Sequence, residues 1–325
     1  MKTPEGVLPA VALLACSLLP ISAPEGAAAG AFEIVETDQG LELRDDTQVV
    51  LFYQRETRSL DGQFARSNYV HPLMSLDGDV LTEDFPADHP HHRGVFWAWH
   101  QLLVGEERVG DGWSLEDFVT RIAGVESTVA TGRARIEATV LWNSPRYRAG
   151  EPFLEEATAV TAHRVVAGAR AIDFEIALRA LVPGVRIGGS EDPKGYGGFS
   201  ARLRMPGGLV FTARNGRVTP QELQVEAGPW MDISAPYGKD GAPSGVTILC
   251  HPSLPGFPQP WILRQQGSMQ NPVFPGRQTV TVPTDRPLVL RYRLVIHRGA
   301  ARPGDIERWQ RHYADESAAL APGSE

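Results

Sequence analysis

The sequence predicts an all-β protein, a large antiparallel β-sandwich with a single C-terminal helix. Apolar and polar residues alternate along many short segments, turn-forming residues separate those segments, and helical spacing occurs in one place. The clearest alternation lies in ARAIDFEIALRAL, residues 169–181, where Ile172, Phe174, Ile176 and Leu178 share one face. A strand needs this pattern when one of its faces is buried in a core.

The same alternation continues through most of the chain. Gly, Pro, Asn and Asp residues separate the segments, as expected for turns between antiparallel strands. In VFWAWHQLLV, residues 95–104, Trp97 and Trp99 share a face with Val95, so they are candidates for core as well as for a ligand surface. The further strand candidates are FEIVETD, TQVVLFYQ, GRARIEATVLW, TAVTAHRVV, GLVFTAR, GVTILCH, RQTVTVP and PLVLRYRLVIHRG.

One segment has the spacing of a helix. In PGDIERWQRHYADESAALA, residues 303–321, Ile306, Trp309 and Tyr313 recur at helical intervals behind a Pro-Gly break and an acidic first turn. We expect this helix to cover the sandwich. No internal repeat or change of composition divides the chain, so residues 30–325 are expected to form a single β-sandwich domain, with two smaller sandwiches as the alternative.

The N-terminus has the pattern of an export signal. An apolar stretch over residues 7–21 follows Lys2, and small residues follow it, which predicts a signal peptide over residues 1–29 cleaved near Ala29. The alternative is a lipoprotein signal, because LLAC at residues 13–16 would make Cys16 a lipid anchor. We therefore expect a periplasmic or extracellular protein. After cleavage Cys250 is the only cysteine, so no intramolecular disulfide is expected.

Charge and hydropathy exclude two classes of partner. The formal net charge of the 325-residue chain is −8, and its basic residues are scattered without interleaved aromatic residues. This pattern lacks the footprint of a nucleic-acid-binding protein. No segment after the signal has the roughly 18 apolar residues of a spanning helix, so no transmembrane segment is predicted. A carbohydrate or another small polar ligand is the expected partner.

A histidine-rich segment, residues 66–101, is the main candidate site. Pro86, Pro90 and Gly94 predict a loop that leads directly into the strand beginning at Val95, and loops on a rigid sheet are where functional sites are often placed. So many adjacent ionisable groups are costly to bury without partners. The ionisable residues of the segment that are candidates for the site are Arg66, His71, Glu83, Asp84, Asp88, His89, His91, His92, Arg93 and His100.

Three kinds of chemistry fit this loop. His89, His91 and His92 are candidate metal ligands, because two imidazoles and a carboxylate can hold zinc or non-haem iron. A histidine can also exchange a proton with a sugar hydroxyl while a carboxylate takes the complementary role. Finally, imidazoles and tryptophans can bind a sugar without catalysis. The spacing alone does not choose among the three, because it matches no fixed metal motif.

Two later regions supply further candidates. GGSEDPKGYGGFSARL, residues 188–203, is a glycine-rich loop that offers Lys194 and Tyr196, and it lacks the spacing of a phosphate-binding loop. Two loops further on offer Trp230, Asp232 and Arg264. We expect these residues at strand ends, where a sandwich forms its groove.

The chain resembles a known family. NYVHPLMSLDGDVLTEDFPADHPHHRGVFWAWHQ, KGYGGFSARL and LRYRLVIHRG are similar to the bacterial PmoA-like family, also called domain of unknown function 6807, over nearly all of the mature chain. The label "methane oxygenase PmoA" implies a membrane-integral subunit. Because no spanning helix follows the signal here, we accept the family without its oxygenase function.

A more distant resemblance concerns the chemistry. Galactose mutarotase and its relatives are β-supersandwiches with an Arg/Asn motif followed by a His-rich loop, and Arg66, Asn68 and His91-His92-Arg93-Gly94 occur here in that order. The sequence has Arg-Gly where that family has Gly-Gly. The nearest candidates for its C-terminal catalytic glutamate are Glu226 and Asp232. The resemblance implies a supersandwich fold and sugar binding in a groove.

Together these observations predict an exported carbohydrate-active protein. As an enzyme of the hydrolase, lyase or epimerase type it would use His91 or His92 as proton donor, Glu83, Asp84 or a distal acid as base, and Arg93 to polarise an oxygen. The alternatives are non-catalytic glycan binding and a metal-dependent oxygenase or hydrolase; no cofactor is predicted, and a divalent metal is the rival hypothesis. The predicted substrate-binding residues are Arg66, Asn68, His71, His89, Trp99, His100, Lys194, Tyr196, Trp230, Asp232 and Arg264.

Overall fold

The computed structural model describes Met1, residues 31–238 and residues 240–319. The predicted signal peptide over residues 1–29, its cleavage site near Ala29 and the alternative anchor Cys16 lie outside these residues. Within the described part of the chain, no helix combines the length and the hydropathy that crossing a membrane would take.

Antiparallel strands make up most of the described chain, as the alternating pattern predicts. The first half contains β1 (Phe32–Glu36), β2 (Gly40–Asp45), β3 (Gln48–Gln54), β4 (Arg58–Leu60), β5 (Gln63–Arg66), β6 (Tyr69–Leu73), β7 (Val95–Ala98), β8 (Gln101–Val104), β9 (Glu107–Gly110), β10 (Val119–Ala130), β11 (Arg133–Asn143) and β12 (Pro152–His163).

The second half adds shorter strands and the helix. A 3-10 turn, Arg148–Gly150, precedes β12. The remaining elements are β13 (Ala169–Ala180), β14 (Val185–Gly188), β15 (Gly198–Ala201), β16 (Val210–Ala213), β17 (Gly216–Val218), β18 (Trp230–Ala235), β19 (Ser244–Cys250), β20 (Trp261–Ile262), β21 (Asn271–Pro272), β22 (Val280–Thr281), β23 (Leu288–Arg298) and α1 (Pro303–Ala319).

Three sheets carry the architecture. The six-stranded sheet has the order β1-β2-β3-β6-β7-β15, and the nine-stranded sheet has the order β10-β11-β12-β13-β23-β19-β18-β16-β17. A third sheet joins β22-β14-β8-β9, and two short ribbons pair β20 with β21 and β4 with β5. The predicted all-β class with antiparallel sheets and one C-terminal helix is therefore confirmed.

The two large sheets share one hydrophobic core. Trp97 of β7 packs on Phe174 of β13 with ring centroids 6.3 Å apart, Phe174 contacts Phe199 of β15 at 5.2 Å, and Phe199 stacks on Tyr292 of β23 at 4.5 Å. These fully or almost fully buried rings hold the six-stranded sheet against the nine-stranded one. The core therefore fixes the position of β7, which carries the histidine-rich loop at its start.

Residues 95–104 differ from the expected single strand. β7 ends at Ala98 and β8 begins at Gln101, because Trp99 and His100 lie between two different sheets. The alternation itself is correct, since Val95 and Trp97 belong to the main core, whereas Phe96 and Ala98 lie in a second cluster on the other face. This second cluster forms the floor of the candidate site.

Candidate functional site

The histidine-rich loop between β6 and β7 is folded by two consecutive turns. The backbone N–H of His89 donates to Pro86 at 3.2 Å, and that of His92 donates to His89 at 2.9 Å. Gly94 then closes the loop: its φ is 49°, and a Cβ there would lie 2.1 Å from the carbonyl oxygen of Val70. Only glycine fits this approach. The turns bring the three imidazoles of the loop together.

The three imidazoles of the loop pack against one another. The rings of His89 and His92 are stacked, with centroids 4.7 Å apart and an interplanar angle of 2°. His91 stands edge-on to both, 4.6 Å from His92 and 5.7 Å from His89. Rings this close disfavour simultaneous protonation, because like charges at such distances repel.

These histidines open onto a cleft of about 310 Å³. Its floor is the second hydrophobic cluster, in which Trp113, Ile262 and Met269 are almost fully buried. Among the described residues, no carboxylate side chain lines this cleft. The lining residues are His89, His91, His92, His100, Trp113, Ser114, Lys194, Tyr196, Ile262, Arg264, Gln266, Gly267, Ser268 and Met269. Seven residues predicted from the sequence therefore meet here: His89, His91, His92, His100, Lys194, Tyr196 and Arg264.

Two of the cleft histidines contact aspartates through their Nδ1 atoms. His89 Nδ1 lies 2.7 Å from Asp88 Oδ2, and His100 Nδ1 lies 2.9 Å from Asp111 Oδ2. We call these two the cleft pairs. A carboxylate that accepts from Nδ1–H fixes the tautomer and leaves Nε2 as the basic nitrogen. Each cleft pair thus has the arrangement of a general base.

The environment of Asp111 keeps that carboxyl ionised. Burial raises its pKa, but hydrogen bonds from His100 and from the backbone N–H groups of Ser114 and Trp113 outweigh burial and lower the pKa below its usual value. Both backbone N–H groups donate to Asp111 Oδ1 at 2.9 Å. The same carboxylate therefore shapes the loop under the cleft and orients His100.

The other two cleft histidines are neutral at physiological pH. Burial, followed by the charges of His89 and Arg66, lowers the pKa of His91 to about 4. Burial and the neighbouring imidazoles lower the pKa of His92 further. His92 Nδ1 and His100 Nε2 are also buried with no hydrogen-bond partner in the described part of the chain. Such groups cost free energy unless a ligand satisfies them.

The arrangement of the imidazoles does not favour a metal site. Ligand lone pairs of an imidazole lie in the plane of its ring, so those of the stacked His89 and His92 run parallel rather than converge on one point. The described residues contain no group of three or more His, Cys, Asp or Glu side chains placed to hold an ion.

Three predicted catalytic residues lie outside the cleft. Arg93 is fully buried, and its five donors are used by Asp84, by the hydroxyl of Tyr69 and by two backbone carbonyls. Asp84 also binds Arg58 at 2.8 Å, and Glu83 binds Arg202 at 2.8 Å. These ion pairs hold the ends of the loop. Because all five of its donors are used, Arg93 has none with which to polarise a substrate oxygen.

Four predicted binding residues lie beside or beneath the cleft. Arg66 is buried under Trp113 and donates to its carbonyl oxygen at 3.3 Å. Asn68 donates to the buried Glu156 at 2.7 Å, and His71 pairs with Thr82 at 2.9 Å. Trp99 is fully buried and donates to the carbonyl oxygen of Phe274 at 2.9 Å. Among the residues that the structure describes, these four support the site rather than line it.

Three candidates from later in the sequence, Glu226, Trp230 and Asp232, do not line the cleft. Trp230 is fully buried and its Nε1–H donates to Glu307 of α1 at 2.7 Å. Asp232 is buried and lies 2.8 Å from His297 Nε2. Glu226 is exposed and is not a lining residue. None of the three supplies the missing carboxylate of the cleft.

Sequence reasoning missed Asp111 and Trp113. β8 and β9 form a hairpin in which Leu102 pairs with Gly110, and this pairing returns Asp111 to the side of His100. The segment LLVGEERVG carries the turn signal of that hairpin, so a hairpin prediction could have found the pair. Trp113 stacks on His100 with centroids 5.4 Å apart and meets His92 edge-on at 5.5 Å.

Comparison with known proteins places the chain in a family. The comparison with curated proteins found no match. Among solved structures, a putative mutarotase, YeaD, from Salmonella typhimurium is similar at 9% identity with a TM-score of 0.33, over 83% of this chain and 94% of that chain. The model of a family of unknown function, DUF6807, matches residues 40–310, and its description carries no oxygenase label. Because this match spans most of the sequence, the chain belongs to the DUF6807 family.

Proposed function

We propose that the cleft binds a saccharide and that the cleft pairs transfer protons on it. The observation that carries the proposal is the meeting of four imidazoles in one cleft, two of them oriented by aspartates. An imidazole whose Nδ1 is bound by a carboxylate is a general base at Nε2 and, once protonated, a general acid. His89 is the more accessible of the two, with 40% of its side chain exposed.

The size and lining of the cleft suit a sugar. Its volume of about 310 Å³ is at the lower end of the range for small-molecule sites, roughly 300–1,000 Å³. The half-buried Tyr196 offers an aromatic face, and neutral His91 and Ser268 offer groups that both donate and accept hydrogen bonds. Sugar rings need this combination, because they carry apolar C–H faces and many hydroxyl groups.

The proposed roles differ from the sequence-based ones. The carboxylates act from behind His89 and His100, whereas Glu83 and Asp84 hold the loop through ion pairs with arginines. His91 and His92 are hydrogen-bonding groups, because an imidazole with a strongly lowered pKa is in its neutral form at neutral pH and is not a general acid there. Arg93 has only a structural part in this proposal.

The direct test is a screen of saccharides for binding and turnover. We expect at least one sugar to be bound and converted, and we expect His89→Gln or His100→Gln to lower kcat about 100-fold or more, the usual contribution of a general acid or base. The matched control is His163→Gln, because His163 forms a similar pair with Asp173 at 2.7 Å but does not line the cleft. Equal loss in the control would refute the assignment.

Glycan binding without catalysis is the second candidate. The absence of a carboxylate from the lining, within the part of the chain that is described, favours it, because no acid of the lining would then contact the substrate directly. In that case no sugar is converted by the wild-type protein, and His89→Gln changes affinity only. Measuring the dissociation constant and the product in one experiment separates the two functions.

Export remains part of the proposal. Its support is the apolar stretch and the small residues of the N-terminal sequence. Expression of the full chain in a bacterial host, followed by fractionation and N-terminal sequencing, should give a non-cytoplasmic product beginning close to residue 30. A blocked N-terminus at Cys16 would instead indicate the lipoprotein signal, and an uncleaved cytoplasmic product would contradict export.

A further inference from the structure

The cleft contains an arginine with unused donors. Arg264 Nη1 donates to the carbonyl oxygens of Gln221 at 2.7 Å and Leu263 at 2.9 Å, and Nη2 donates to that of Glu222 at 2.8 Å. A guanidinium has five N–H donors, so the Nε–H and one N–H of Nη2 have no partner among the described residues. No carboxylate of the described residues forms an ion pair with Arg264.

A second unpaired cation lies beneath the floor. Arg66 is 5% exposed, donates only to the carbonyl oxygens of Gly112 and Trp113, and leaves Nε without a partner. Its guanidinium lies over Phe96, 5.1 Å from the ring centroid. Burial lowers the pKa of Arg66 to about 9, so it still carries its charge at neutral pH.

The remaining charges around the cleft largely cancel. Asp88 binds Arg202 through both oxygens at 2.9 and 2.7 Å, and Asp111 faces His100 and Arg108. The charged lining residue Lys194 has only a long contact, 3.8 Å, with Asp192. Glu222 and Asp192 also act on Arg264 by charge, but neither forms an ion pair with it and neither lines the cleft. Among the described lining residues, Arg264 and Lys194 carry the fixed charges, both positive, so the lining favours an anion.

We propose that the natural ligand is an acidic saccharide, whose carboxylate binds Arg264 with Lys194 nearby while its ring lies against the imidazoles. This inference rests on the proposed saccharide function and specifies its substrate class. The two free donors of Arg264 lie on neighbouring nitrogens of one plane, an arrangement that matches the two oxygens of a carboxylate. The hydroxyl groups of a uronic acid then face His89 and His91, whose side chains line the cleft.

The test compares sugars that differ only at C6. Binding is measured by calorimetry at low salt for glucuronate against glucose, galacturonate against galactose and mannuronate against mannose, with galactose 6-sulfate as a second anion. We expect one uronate to bind about tenfold more tightly than its neutral partner, which is the effect of one charge-assisted bidentate contact. Salt should weaken this preference.

Variants locate the contact. Arg264→Gln should abolish the uronate preference. Lys194→Gln should reduce the preference about two- to threefold and leave the protein folded, because Lys194 is only partly buried. Arg121→Gln is the matched control, because Arg121 is exposed on β10 and is not a lining residue. It should retain the full preference.

The outcomes separate this inference from the proposed function. Equal binding of uronates and neutral sugars overturns the acidic substrate and leaves saccharide binding standing. Tighter binding of the sulfate ester overturns the carboxylate, and a preference that survives both Arg264→Gln and Lys194→Gln overturns the assigned contact. If no sugar of either kind binds, the proposed function fails and the inference fails with it.

Discussion

Histidine–aspartate pairs occur both in the cleft and in the core, and they differ in what the second nitrogen does. In the core, His297 Nε2 lies 2.8 Å from Asp232 Oδ1, and Nδ1 lies 3.1 Å from the carbonyl oxygen of Gly299. In the cleft, His100 Nδ1 is bound by Asp111, whereas Nε2 has no partner among the described residues. Only the second arrangement leaves a nitrogen without a hydrogen-bond partner.

The surroundings of the two aspartates reinforce this difference. Asp232 also accepts from Ser234 at 2.6 Å and from Thr247 at 2.8 Å, so the core pair belongs to a closed hydrogen-bond network. Both nitrogens of His297 therefore have partners within the core. A histidine beside a carboxylate is therefore structural or functional according to whether its network is complete.

The largest expected effect is the loss of protein stability when the core pair of Asp232 and His297 is broken. Asp232→Ala leaves His297 buried beside unsatisfied partners, and we expect it to lower the free energy of unfolding by about 3–5 kcal/mol. The corresponding removal of the half-buried His100, as His100→Ala, should cost about 1 kcal/mol. Urea unfolding of both variants checks the comparison. Similar losses for the two would contradict it.

The next effect is on catalysis by the cleft pair. Asp111→Asn can still accept from the backbone N–H groups of Trp113 and Ser114, but it no longer fixes the tautomer of His100. We expect kcat on the saccharide substrate to fall about 100-fold or more with little change in affinity. Thr247→Val, which removes one donor to Asp232, is the control in the core network. A fall in affinity with kcat unchanged would instead assign His100 to binding.

A smaller effect concerns the dependence of stability on pH. The folded pKa of His91 is about 4, whereas that of an unfolded histidine is about 6.5. Between these values the unfolded state binds more protons, so the free energy of unfolding should be highest above pH 6.5 and should fall as the pH drops toward 4. The decline should be shallower in His91→Asn, as measured by urea midpoints at several pH values. A decline of unchanged steepness would contradict the lowered pKa.

The smallest effect is expected from metal removal. Since the stacked imidazoles of His89 and His92 do not converge on a point, we expect chelation to leave saccharide binding and the melting temperature unchanged. Elemental analysis should find no stoichiometric zinc, iron or copper. Loss of saccharide binding on chelation, restored by adding one of these metals, would support the metal hypothesis.

The fold could be read from the sequence because alternation is a local signal. Residues 169–181 predict β13 almost to its ends, since Ile172, Phe174, Ile176 and Leu178 all face the core. The break after Ala98 was not predictable, because apolar residues lie on both sides of His100 and Gln101 while the chain changes from one sheet to another. That change depends on pairing partners far away in the sequence.

The site was predictable only in part, because contacts between residues far apart in the sequence determine which side chains line it. The density of histidines in one loop indicated His89, His91 and His92, which a single pair of turns brings together at the cleft. In an irregular loop, sequence spacing does not tell which side chains face inward. Arg93, two residues after His91, therefore points into a saturated ion-pair network instead of the cleft.

The proposed function requires that histidines contact a ligand in the cleft and not in the core. The most direct measurement follows the ring signals of all nine histidines by NMR while a uronate or its neutral partner is added. We predict shifts confined to His89, His91, His92 and His100, with His71, His163, His251, His297 and His312 unchanged. Shifts at His297 or His163 with the four cleft histidines unmoved would contradict the claim.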